Sequence, residues 1–114
     1  MLKLIQWQWN DYQQFHRSKT NLLIHIIAVP SFLVSNVYLL IALTQQAWIP
    51  ALCSILVMVF SIAVQGRGHK MEETPSIPFS SLFNAIARLL LEQWINFPRF
   101  VLSGGWWRAL QQVS

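Results

Sequence analysis

Charge is what this chain has least of. Of its 114 residues only 11% are charged, against roughly 25% in an ordinary soluble domain. No charged side chain occurs between Lys19 and Arg67. A gap of that length suits two membrane helices joined by a short turn. The net charge of +4 comes from basic residues scattered singly, which excludes a basic nucleic-acid module. Anionic lipid headgroups or an acidic amphiphile are the partners such charge suits. One cysteine, Cys53, rules out an intramolecular disulfide and any zinc-finger spacing. The one aspartate, Asp11, has no evident serine partner for a nucleophile set. The opening MLKLIQWQWN lacks the apolar core and small-residue cleavage site expected of a signal peptide. No alternating pattern supports a transmembrane β-barrel.

What the chain has in quantity is apolar surface, 54% of its residues. The first run, about 21–43, and the second, about 48–64, read as transmembrane helices, with Thr44 to Ala47 as the turn. Pro30 removes one backbone hydrogen bond within the first and predicts a kink. At 1.5 Å per residue the second run covers roughly 26 Å, short but adequate with interfacial anchors. Residues 2–16 read as an amphipathic helix whose stripe is Leu2, Ile5, Trp9, Tyr12 and His16. Ser80 or Ser81 can cap another over about 80–95, and Pro98 starts a last helix over about 98–112, interrupted by Gly104 and Gly105. These flanking helices are expected to lie in the interface. All six tryptophans stand outside the apolar interiors, as in an aromatic belt. The expected fold is therefore all-α, a single integral membrane domain built on a helical hairpin. Lys3, Arg17 and Lys19 precede the hairpin, Arg67 and Lys70 follow it, and its turn is uncharged, so both ends face the cytoplasm. Two spans bury little surface, which makes a homodimer reasonable.

The three histidines, His16, His25 and His69, all stand at the ends of the apolar runs. On one continuous helix His16 and His25 would point opposite ways, so a break near Arg17 to Thr20 is required for them to meet. The hairpin then returns His69 to the same end. Asn21 shares a helix face with His25, and Glu72 or Glu73 can share one with His69. Three imidazoles and a carboxylate are a plausible shell for iron, manganese or zinc, and an octahedral Fe(II) so held keeps open positions for O2. Each residue also has a plainer reading. His25 can be a hydrogen-bonded interior residue, Asn21 a helix cap, and Glu72 with Glu73 a solvated pair. Arg17, Arg67 and Lys70 can hold a substrate headgroup or merely anchor the chain in lipid.

The pattern H-x4-N-x3-H-x4-P, here His16, Asn21, His25 and Pro30, is followed by Q-x2-G-H-x2-E, here Gln65, Gly68, His69 and Glu72, with Pro75 and Pro78. Together they resemble the fungal 2-hydroxypalmitate dioxygenase family. The stretch EQWINFPRFVLSGGWWRAL is similar to the C-terminal end of its short bacterial members, and the likeness covers about residues 12 to 108. It implies an Fe(II)-dependent membrane dioxygenase that shortens 2-hydroxy fatty acids by one carbon in α-oxidation, placed in a bacterial inner membrane. His16, His25 and His69 would then be iron ligands or their supports, and Glu72 would complete or orient the site, while Asn21, on the face of His25, is a candidate catalytic residue. The fungal spacing favours Glu73 and the bacterial one Glu72. The chain is shorter than the fungal enzyme and lacks its additional central membrane segments. A different class of function, a non-enzymatic lipid-binding or assembly protein, needs no metal, and zinc-dependent hydrolysis needs zinc and no O2.

Overall fold

The computed structural model describes residues 2–112. Helix α1 (Leu2–Asn10) leads through a tight 3-10 turn (Tyr12–Phe15) into α2 (Lys19–Thr44), which pairs with α3 (Trp48–His69). After an irregular segment come α4 (Leu82–Leu91), a π-helical turn (Glu92–Asn96), α5 (Phe97–Leu102) and α6 (Gly105–Gln112). Every element among the described residues is helical.

The two long helices are apolar enough to cross a membrane and run about 39 and 33 Å at 1.5 Å per residue, against a hydrocarbon core of about 30 Å. Their pattern is the reverse of a water-soluble bundle. Small and polar residues face inward: Ala28, Ser35 and Ala42 from α2, Ala51, Ser54 and Ser61 from α3. Large apolar side chains such as Ile27, Val34, Leu40, Ile49 and Phe60 face outward. Small residues let the backbones approach closely, the usual way helices pack in lipid. Ser61 Oγ donates to the Ala28 carbonyl across the seam at 2.6 Å. The helix continues through Pro30.

Three boundaries differ from those read in the sequence, each for a local reason. The expected helix over 2–16 stops at Asn10 and tightens, because His16 N bonds back to Gln13 O rather than to Tyr12 O. The second long helix does not end near Val64 but continues to His69, since Gln65 is buried in a reciprocal amide pair with Gln93, at 2.9 and 2.7 Å. The chain from Leu82 to Leu102 runs on without the expected break before Pro98. Pro98 has no N–H to return to Trp94, and the Phe97 N–H instead bonds back five residues to Glu92 O, a widened turn that absorbs the missing donor. Gly104, at φ +82°, makes the corner between α5 and α6.

The α5–α6 corner and the α1 end of the chain pack on the first half of α2. Tyr12, Leu22, Val29, Phe97, Phe100 and Ala109 form this core. Trp106 Nε1 closes it by donating to the Leu22 carbonyl at 2.9 Å. Ser18 caps α2 with its side chain, and Ser81 caps α4.

The contact between Gly68 of α3 and Asn21 of α2 supplies a test. A Cβ at Gly68 would lie 2.2 Å from Asn21 Oδ1, whereas one at Gly66 meets nothing within 4 Å. Gly68→Ala should cost about 1–3 kcal/mol as an overpacked contact. Gly66→Ala should be neutral or slightly stabilising, as alanine is the better helix former by about 1 kcal/mol. Unfolding of both variants in detergent measures the contrast, and equal stabilities would refute the tight contact.

Candidate metal centre

Four side chains from four separate segments meet at one end of the hairpin. His16 follows the 3-10 turn, His25 lies in α2, His69 ends α3, and Glu92 opens the π-helical turn. One donor atom from each lies within 4.8 Å of all the others. His16 and His25 are buried, while His69 and Glu92 are partly covered. The three rings stand edge to face, with centroids 4.8–5.1 Å apart and planes at 78–86°.

Two of the imidazoles have their tautomer set by the backbone. His16 Nδ1 lies 2.7 Å from Tyr12 O, and His25 Nδ1 lies 3.0 Å from Asn21 O. A carbonyl only accepts, so Nδ1 carries the proton and the neutral ring presents a lone pair at Nε2. The 3-10 turn makes this possible at His16: its own N–H takes Gln13 O, which leaves Tyr12 O for the imidazole.

Both Nε2 atoms then face Glu92 Oε1, at 3.4 and 3.5 Å, with His69 Nε2 at 3.8 Å. Neither buried Nε2 has a hydrogen-bond partner. These separations are long for charge-assisted N–H···O bonds of about 2.7–2.9 Å. They are near the spacing of two donors each about 2.1 Å from one ion, which stand about 3.0–3.4 Å apart at octahedral or tetrahedral angles. Nitrogen lone pairs aimed at a carboxylate oxygen leave a cation as the natural occupant between them.

Burial pushes His16 below its ordinary 6.5 despite the nearby Glu92 carboxylate. A neutral His16 is the protonation state a metal requires of it.

His16, His69 and Glu92 line a cavity of about 390 Å³, whose other walls include Trp7, Phe15, Ile62, Ile77, Phe79 and Leu89. Two cations line it, Lys70 and Arg88. Arg88 donates to the carbonyls of Ile77 and Pro78 at 2.8 and 3.2 Å. Its guanidinium lies over the rings of Phe79 and Trp7. Burial lowers the Arg88 pKa from its ordinary value, against the pull of Glu92.

The residues singled out in the sequence fall into three groups. His16, His25 and His69 converge. Asn21 and Glu72 meet one another beside them, joined by Asn21 Nδ2 donating to Glu72 Oε2 at 2.6 Å. The Glu72 carboxylate also accepts from Arg17 N and Ser18 N at 2.7 and 2.9 Å, so it neutralises the start of α2. Glu73 is exposed, and the carboxylate that faces the imidazoles is Glu92 instead. Of the three cations, Lys70 lines the cavity, Arg17 borders a separate small hollow with Gln13 and Gln112, and Arg67 is exposed. Glu92 and Arg88 escaped the sequence reading. A lone carboxylate in the apolar run LLLEQWINF was the available signal for the first.

No protein-family model, curated protein or solved structure matches this chain. The chemistry of the centre therefore rests on the side chains described above.

Two carboxamide variants separate the acidic residues. Glu92→Gln should weaken Co(II) or Zn(II) binding by more than a hundredfold, since outer-shell changes alone cost about 10–100-fold. Glu72→Gln should hold metal within about tenfold of wild type while losing about 1–2 kcal/mol of stability as a weakened helix cap. The reverse ranking in a metal titration would move the ligand to Glu72. With His16 pushed down, protons should compete little near neutrality, and affinity should fall as pH drops below 6.5.

Proposed function

We propose that this chain is a membrane-embedded, Fe(II)-dependent dioxygenase that acts on 2-hydroxy fatty acids and shortens them by one carbon. The observation that carries the proposal is the cluster of His16, His25, His69 and Glu92, of which His16, His69 and Glu92 line a largely apolar cavity. This donor set suits iron, manganese or zinc. The resemblance of its histidine motifs to the fungal 2-hydroxypalmitate dioxygenase family selects iron and O2 among them. Iron so held would supply a Lewis acid for the hydroxy acid and an electron source for O2. The balance is complete without another reductant: a 2-hydroxy acid and O2 match an acid one carbon shorter, CO2 and water.

The chain's own residues divide the remaining tasks. Trp7, Phe15, Ile77, Phe79 and Leu89 give an acyl chain an apolar wall and keep water from the centre. Lys70 and Arg88 supply positive charge for a carboxylate headgroup. Asn21 and Glu72 hold the start of α2, and thereby the helix that presents His25.

The setting follows from the surface. Within the hydropathic windows of α2 and α3 only 28% and 22% of residues are buried inside the chain, which leaves an apolar belt for lipid. The basic residues gather at the end of the hairpin that holds the centre, which supports an inner membrane placement with both chain ends cytoplasmic.

Protein purified without oxygen in mild detergent should contain near-stoichiometric iron, and wild type given 2-hydroxy fatty acids should consume O2 and release the shortened acid. His25→Ala should lose both the iron and, by about a hundredfold or more, the turnover. No metal in wild type even after reconstitution with Fe(II) would favour a lipid-binding protein, and zinc with no O2 consumption would favour hydrolysis.

A further inference from the structure

Tyr12 touches the centre in three ways. Its carbonyl accepts the Nδ1 proton of His16 at 2.7 Å. Its ring stacks on the His16 imidazole, with centroids 4.0 Å apart and planes 10° from parallel. Its hydroxyl donates to Glu92 Oε1 at 3.3 Å, the same oxygen that faces all three imidazoles. Tyr12 is buried at 5% exposure and lines the cavity wall beside the centre.

A buried phenol hydroxyl needs a hydrogen-bond partner. This one is aimed at a carboxylate oxygen already crowded by nitrogen donors. The O–H takes one lone-pair direction of Oε1 and leaves the other for the space between the imidazoles. Its ring meanwhile prevents the His16 plane from turning. One residue thus sets the orientation of two candidate ligands that come from opposite ends of the chain.

Resting on the metal reading above, we propose that Tyr12 is the positioning residue of the centre, holding Glu92 through its hydroxyl and His16 through its ring and carbonyl. Outer-sphere hydrogen bonds of this kind carry about 10–100-fold of metal affinity and tune the electronic character of the bound ion.

Tyr12→Phe keeps the ring and the carbonyl and removes only the O–H. Titrated with Co(II) in detergent, the variant should bind about tenfold or more weakly than wild type, and at saturating Co(II) its visible spectrum should differ. A purely structural hydroxyl would lower thermal stability and leave the saturated spectrum unchanged. Should Tyr12→Phe not fold, 3-fluorotyrosine provides the second perturbation. The chain has two tyrosines, so in a Tyr38→Phe background the label reports on Tyr12 alone, and Tyr38 is 61% exposed on the outer face of α2. The stronger fluorophenol donor should shift the Co(II) spectrum, in the direction opposite to phenylalanine where both can be compared. An unshifted spectrum in the folded variants overturns the proposal. Wild type that takes up neither Co(II) nor Fe(II) removes the metal reading itself, a result distinguishable from failure of the Tyr12 role.

Discussion

Two hydrogen bonds from imidazole Nδ1 atoms to main-chain carbonyls govern the geometry of the centre. Once Tyr12 O and Asn21 O hold the protons of His16 and His25, each opposite nitrogen carries a lone pair. Both nitrogens are buried and turned toward Glu92. Side-chain partners could have done the same, but they can rotate; carbonyls on a 3-10 turn and on a helix cannot. The arrangement leaves the space between the rings without hydrogens to fill it, which is the local condition that a bound cation meets.

That local condition needs a rigid frame, and the frame is made largely of amides. Gln65 and Gln93 pair reciprocally between α3 and the π-helical turn. Asn96 donates to Gln8 and so ties the same turn to α1. In an apolar interior an unpaired amide is costly and a doubly paired one is directional. Gln93 is wholly buried next to Glu92 in sequence, so its pairing also sets where the carboxylate arrives. The widened turn at Glu92–Asn96 brings Glu92, Gln93, Asn96 and Phe97 onto the inward side.

Much of this was legible in the sequence where the signal was one-dimensional. The charge gap before Arg67 and the short turn read at Thr44 to Ala47 were enough to derive an antiparallel pair of long apolar helices. That topology alone carries His69 back to His25. The break after His16 followed from helical rotation. What escaped was anything that depended on how the later helices dock. Glu72 stands three residues from His69 and would share its face on a continuing helix, but α3 ends at His69, and the chain turns the carboxylate to the backbone N–H groups of Arg17 and Ser18. Glu92 lies 23 residues further on in a stretch that read as an interfacial helix, and no spacing rule connects it to the histidines. Its inward direction depends on the Gln65–Gln93 pair and on the π-helical turn, and neither has a periodicity to read.

The placement of Glu92 also orders events during synthesis. His16, His25 and His69 all leave the ribosome before it, and the hairpin that brings them together is complete by His69. The part of the chain made by then carries the three imidazoles but not the carboxylate that faces them. The pairing of Gln93 with Gln65 fixes the position of its sequence neighbour Glu92. The four donor groups, and the apolar wall at Leu89, therefore exist together only once the chain has passed residue 92.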